Sequence, residues 1–460
     1  MRKAERVLAS LVVALATASV AGQGQLTPPP RVTSLADAQL FDDTVLQRIE
    51  LQVNTRDWAT LRANYQLNTY YPATFLWRGQ AVRNVGIRSR GSGTRNGQKP
   101  GLLVDFDRYV GGQRFLGLKA LVLDNHLQDP SAMREALTMA VHAKLGLPAP
   151  REALAEVYIN GEFFGVYTLV ENLDSVAMAR IFGGGSAPPL LALPPPAGAR
   201  PAPTQPDPTP QLPAAKPRVP APATSAPAPE SDGYLYEYNW LDYFYGTYPG
   251  IELQLYTAML EAETREDESL EALYRPIERL FREVNEAPDD RFVERVGPLL
   301  DLEEYVRLAA VQAYMADNDG IVGSYGMNNF YLYRPAEGGA HRIVPWDEDN
   351  AFRTADYPID AEHARHVFMG RAMRVPELRD LFVRTLESVV QLAEARETAE
   401  GQPWLEREVT RRHALVAVRM QQDRVTPHSQ ADVSEAVSFN LDFARRRGNS
   451  VRDQLRRLRQ

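Results

Sequence analysis

DNDGIVGSYGMNNFYLYRPAEGGAHRIVPWDEDNAF, residues 317–352, is the stretch on which the reading of this chain turns. The run before it, DLEEYVRLAAVQAYM, carries apolar residues at helical spacing, which predicts a helix ending at the first acid. Asp317 and Asp319 follow at once, then a glycine-rich loop, the pair Asn328–Asn329 and an alternating strand, NFYLYR. Glu337–Gly338–Gly339 reads as a turn into a second strand, HRIVPW, which ends in Asp347, Glu348 and Asp349. A hairpin therefore brings two acidic clusters together, and strand alternation places Asp347 and Asp349 on one face with Glu348 on the other. Carboxylates with an asparagine amide oxygen are hard ligands suited to Mg²⁺ or Ca²⁺. The same residue types also serve as ordinary caps and turns.

A chain of 460 residues can bury a full core, as one large domain or two ordinary ones. A net charge of −8 argues against a general nucleic-acid binder. The start, MRKAER followed by VLASLVVALATASVAG, reads as a signal peptide over residues 1–21, cleaved near Ala21. That implies a secreted or periplasmic protein with no membrane span after cleavage. Without cysteine there are no disulfides, thiolate catalysis or Cys-bound metals, and the seven histidines form no recognisable ligand set. Lysine is scarce, at five residues, so arginine carries nearly all the positive charge.

Residues 22–44 read as a leader, loose from Gln23 to Ala38. LQRIELQVN alternates as a strand, Thr55 is positioned to cap a helix over RDWATLRANY, and two strands flank Arg78–Gly79. Arg88 and Arg90 share a strand face and lead into RGSGTRNGQKPG, a glycine-rich turn able to hold an anion through guanidinium and backbone N–H groups. Lys99 precedes the next strand, from which it can reach a phosphate as a point charge. A helix with Asp129 or Ser131 at its cap carries Glu135 near its start, and Asn160–Gly161 marks a β-hairpin that ends at Glu171. Residues 183–231 are rich in proline and alanine and read as a disordered insertion that cannot bury a core. Helical patterns dominate afterwards, so a β-rich half over 45–182 precedes a mainly helical remainder over 232–460.

Five segments in order, VGIRSRGSG…QKPGLLVDFD, GLKALVLDNHLQDPSAMREAL, VYINGEFFGVYTLVEN, ADNDG…NNFYLY and IVPWDEDNAF, resemble the CotH kinase family, named for spore-coat protein H. The resemblance implies an α+β, two-lobed, atypical protein-kinase-like fold with a β-rich N-terminal lobe and a helical C-terminal lobe. It implies transfer of the γ-phosphate of ATP, with Mg²⁺ (or Mn²⁺), to Ser or Thr hydroxyls of a secreted or envelope protein. Carried over residue by residue, Lys99 would contact phosphates, Glu135 would pair with Lys99, and Glu171 would lie near adenine. Asp319 or Asp317 would be the catalytic acid, which spacing does not separate. Asn329, or Asn328, would ligate the metal with Asp347, and Asp349 would be a second acidic ligand. The GxGxxG loop and HRD triplet of ordinary protein kinases are absent, and Lys99–Pro100 replaces the double lysine of some relatives. The alternative reading is a non-catalytic envelope or matrix binding protein on the same scaffold, with Ca²⁺ at the acidic hairpin.

Overall fold

The computed structural model describes residues 35–183 and 228–458. The expected signal peptide and residues 184–227 of the proline-rich segment lie outside them. The fold is α+β. The N-terminal part comprises α1 (Leu35–Leu40), β1 (Gln47–Val53), α2 (Thr55–Ala63), β2 (Tyr71–Trp77), β3 (Gln80–Arg90), β4 (Gly101–Asp105), β5 (Ala120–Asp124), α3 (Arg134–Lys144), β6 (Glu152–Ile159), β7 (Glu162–Glu171) and α4 (Ser175–Phe182). Its seven strands close a barrel in the order β1-β2-β3-β4-β5-β7-β6.

Closure comes from a parallel pairing of β1 with β6, Ile49 opposite Val157, while the other neighbours run antiparallel. Alternation along β1 sends Ile49, Leu51 and Val53 inward. Phe75, Phe106 and Phe115 fill the interior with ring centroids 5.0–5.4 Å apart. Each such ring contributes about 1.5–3 kcal/mol by leaving water, and closure leaves no open edge to aggregate. Asn160 and Gly161 take φ of 53° and 86°, the left-handed pair that a two-residue hairpin turn requires.

Two expectations are corrected here. The loose leader contains α1, and Leu40 and Phe41 beside it join the barrel core while Asp37 accepts from Arg151 Nη1 at 2.9 Å. Asn54 rather than Thr55 caps α2, its Oδ1 accepting from the Arg56 N–H at 2.9 Å. Asp129 gathers the N–H groups of Ser131, Met133 and Arg134 ahead of α3, satisfying donors that the first helical turn leaves unpaired.

The rest comprises β8 (Tyr234–Tyr238), α5 (Gln254–Thr257), β9 (Leu260–Ala262), α6 (Leu270–Glu286), α7 (Phe292–Val296), α8 (Leu302–Met315), β10 (Phe330–Arg334), β11 (Arg342–Pro345), α9 (Val367–Ala372), α10 (Pro376–Glu394), α11 (Trp404–Gln422) and α12 (Gln430–Leu458). A second sheet has the order β11-β10-β8-β9. Its β10–β11 hairpin matches the one read from residues 317–352, and β9 escaped the sequence reading. Leu103, Val122 and Val170 of the barrel pack on Leu235, Tyr331 and Val344 of this sheet and on Trp346 just past it. No helix among the described residues is long and apolar enough to cross a membrane.

α8 is buried along most of its length and delivers Asp317. The carbonyls of its last turn are not fully satisfied by the helix itself, Ala313 O accepting only a long bond from the Ala316 N–H at 3.3 Å. Arg447 of α12, fully buried, fills that need by donating to the carbonyls of Ala313 and Tyr314 at 2.6 and 2.8 Å. The same guanidinium donates to Ala355 and Tyr357 carbonyls at 2.8 and 2.6 Å. One side chain thus ties the end of α8 to the loop beyond the acidic hairpin.

Candidate functional site

A cleft of about 740 Å³ lies between the glycine-rich turn after β3 and the acidic loops after α8 and β11. Its basic wall is made by Arg88, Arg90 and Arg95, on and just after β3. Gly91 takes φ of 108°, which lets the backbone turn sharply there. Arg95 braces the turn, donating through Nε to Gly91 O at 2.6 Å and through Nη1 to Gln66 O at 2.9 Å. Arg88 and Arg95 both donate to Asn68 Oδ1. Arg90 stacks over Trp346, 4.7 Å from the ring centroid, and lies 3.9 Å from Glu237. Burial, then the charges of Arg88 and Arg90, hold Arg95 below its ordinary pKa, the signature of positive charge crowded into one turn.

The acidic wall faces it. Asp319 lines the cleft and accepts from three amides, Asn328 at 3.2 Å and Asn329 and Asn350 at 3.3 Å. Asp317 is turned inward. Its Oδ1 accepts the Asp319 N–H at 2.9 Å, and its Oδ2 is buried without a hydrogen-bond partner. Burial first, then the charge of Glu348, pushes Asp317 well above the usual carboxylate range. Asp319 therefore faces the cleft, whereas Asp317 supports the turn behind it.

Asp347 and Asp349 line the cleft, while Glu348 is buried behind it against His142 and Gln312. The alternation read from the sequence holds for where these side chains go, although β11 ends at Pro345 and the segment is no longer a strand. Asp347 has φ of 52°, a conformation costly for a non-glycine residue. Two contacts hold it there: its N–H donates to Glu135 Oε1 at 3.1 Å, and its carbonyl accepts from Asn329 Nδ2 at 3.0 Å. Burial and the charge of Asp124, opposed by Arg90, push Asp347 up to about 7. Burial and the neighbouring Asp347 push Asp349 well above the carboxylate range. Mutually repelling buried acids of this kind are relieved by a cation or by protons.

Among the described residues no three acidic or histidine side chains converge tightly enough to hold a metal ion by themselves. Mg²⁺ is commonly held by one or two carboxylates plus substrate phosphates, whereas Ca²⁺ needs six to eight oxygens. The Asn329 amide oxygen and the crowded pair Asp347 and Asp349, all lining the cleft, give a donor set of the right hardness.

Lys99 and Glu171 do not line this cleft. Lys99 is buried away from the cleft, with Nζ 2.9 Å from Asp423 Oδ2 just past α11. It does not pair with Glu135, which instead supports Asp347. The reason is local: Asp423 also accepts the Val166, Val425 and Thr426 N–H groups, a ready-made carboxylate seat beside the β4 entry. Glu171 is likewise fully buried, clasped by Arg151 at 2.9 Å and Arg180 at 2.5 Å, and does not line the cleft. Arg88 and Arg90 do line it. Sequence reasoning missed Arg95 and Asn350; a third arginine inside the glycine-rich turn and an asparagine directly after Asp349 were the available signals.

The family model described as CotH kinase protein matches residues 87–190 and 223–450, and the chain belongs to this family. It is similar to the inner spore coat protein H of Bacillus subtilis (strain 168), at 21% identity over 349 residues, covering 74% of this chain and 80% of that protein.

Proposed function

We propose that this chain is a two-lobed, kinase-like phosphotransferase that moves the γ-phosphate of ATP to a Ser or Thr hydroxyl of a secreted or envelope protein. One observation carries the reading: a cleft with an arginine-and-glycine turn on one wall faces clustered carboxylates and asparagines on the other. Phosphoryl transfer asks little more of a protein than this positioning and charge compensation. Arg88, Arg90, Arg95 and the backbone N–H groups of residues 91–94 would hold the phosphates. Asp347, Asp349 and the Asn329 amide oxygen would hold Mg²⁺ (or Mn²⁺), which when bound offsets charge on the phosphate oxygens. Asp319 would orient the acceptor hydroxyl and take its proton as that oxygen bonds to the γ-phosphorus and the bond to the β–γ bridging oxygen breaks. Asn328, Asn329 and Asn350 fix Asp319 for that task, and Glu135 fixes the backbone of Asp347.

Thermal melts with ATP and Mg²⁺, and with each omitted, test the site. A ligand at 100 times its Kd that binds only the folded state adds about 2.7 kcal/mol. The shift is expected to need both components and to vanish in Asp347→Asn. A shift retained in full by that variant would overturn the metal assignment. The second reading, a binding protein on the same scaffold, is favoured by the withdrawal of Lys99 into its pair with Asp423. It requires a shift with Ca²⁺ alone and none with nucleotide.

A further inference from the structure

A second cavity, of about 550 Å³, lies behind α3, bounded by the 147–152 stretch, the end of α4, the β10–β11 turn and α11. We propose that it binds a small zwitterion, an α-amino acid with an apolar side chain, whose carboxylate meets Arg412 and whose ammonium meets Glu152. This goes beyond the kinase reading and does not depend on it.

Three observations carry the proposal. First, two complementary buried groups in the lining lack partners. Neither carboxylate oxygen of Glu152 has a hydrogen bond, and Arg412 donates only through Nη2, to Asp43 Oδ2 at 2.6 Å, leaving Nε and Nη1 unpaired. Glu152 is 8% exposed and Arg412 2%, so water does not satisfy these atoms cheaply. An acid and a guanidinium sharing one cavity without bonding each other suit a molecule that carries an acceptor and a donor of opposite charge.

Second, the lining mixes both signs, four arginines and four acids, with burial keeping the proton on Glu152 until a cation arrives to pair with it. A wall of mixed sign disfavours a polyanion such as a nucleotide and suits a ligand that carries both charges. Arg151 and Arg180 are already engaged by Glu171, and Arg342 by Glu304; Arg151 keeps one buried unpaired nitrogen, Nε, whereas Arg412 keeps two, Nε and Nη1. Third, the rest of the lining is apolar or small. Met139, Leu147 and Phe182 offer a surface for a hydrocarbon side chain, and Ala136 and Ala140 of α3 leave room for it. The volume falls within the range of about 300–1,000 Å³ usual for small-molecule sites.

The test is calorimetric titration of the full chain with L-phenylalanine and L-leucine, to about 10 mM. The controls are N-acetyl-L-phenylalanine, which lacks the ammonium, and L-phenylalaninamide, which lacks the carboxylate. Saturable binding of one amino acid is expected, weakened about tenfold or more by either blocking group and by Glu152→Gln, as the loss of a charged hydrogen bond implies. Ala140→Trp, which fills the cavity without touching the charged pair, should abolish binding. The proposal is overturned by no binding of either amino acid. It is equally overturned by analogues that bind as well as the free amino acids, or by binding that survives Ala140→Trp.

Discussion

Glu152→Gln is expected to make the ligand-free protein more stable, and only in one pH window. Burial, with Arg412 opposing it and Asp124, Glu348 and Asp347 reinforcing it, pushes the Glu152 carboxyl from 4.5 up to about 8. Below pH 4.5 the folded and unfolded chains both keep the proton, and the carboxyl makes no difference between them. Between 4.5 and about 8 only the unfolded chain releases it, so stability falls as pH rises across that window. Each pH unit corresponds to about 1.4 kcal/mol, so by pH 7 the native carboxyl costs about 3 kcal/mol. Glutamine is neutral throughout and nearly the same shape. Urea unfolding followed by tryptophan fluorescence, at pH 5 and at pH 7, is expected to show a gain of less than about 1 kcal/mol at the lower pH and about 2–3 kcal/mol at the higher. The opposite sign would mean that Glu152 is ionised and serves Arg412 as a partner, since breaking a buried pair costs about 3–5 kcal/mol. A less stable variant at pH 7, or a difference that does not change with pH, refutes the reasoning.

Three further outcomes follow from the site and its supports. Asp423→Ala strands the Lys99 ammonium in the interior and is expected to cost about 3–5 kcal/mol in urea unfolding, with Lys99→Met in the same chain recovering at least half; a double variant no more stable than Asp423→Ala would count against the pair. Asp319→Asn is expected to abolish phosphate transfer from labelled ATP without lowering the melting temperature. Asp317→Asn, at an acid that burial already drives towards its neutral form, is expected to cost less than about tenfold; the reverse ranking would exchange their roles. Arg95→Gln removes a cation from the crowded turn and is expected to raise the KM for ATP about tenfold with a smaller change in kcat, so an unchanged KM would remove Arg95 from the phosphate site.

What the sequence made legible was local. The Asn160–Gly161 hairpin, α8 and the β10–β11 hairpin rest on periodicity and turn chemistry within a dozen residues of one another, and each stands as read. The segregation of Asp347 and Asp349 from Glu348 was legible for the same reason. The partner of Lys99 was not, because Asp423 lies 324 residues away and nothing near either residue signals the other. An analogy supplied Glu135 instead, and that carboxylate proved to be engaged with a backbone N–H. Barrel closure was equally hidden, since the parallel pairing of β1 with β6 joins strands that look like any other alternating runs. The clasp on Glu171 was hidden too, since a position at a strand end says nothing of the two arginines that hold it.

The Arg447 clasp sets a timetable. A ribosome makes Asp317 and Asp319 well over a hundred residues before the guanidinium that fastens the end of α8 beneath them. The barrel, too, is fully synthesised with Lys99 still waiting for residue 423. Both long-range ties arrive with the last helices, so the end of α8 and the seat of Lys99 are fastened only late in synthesis. A chain interrupted before α12 carries every residue of the cleft without the guanidinium that fastens the end of α8.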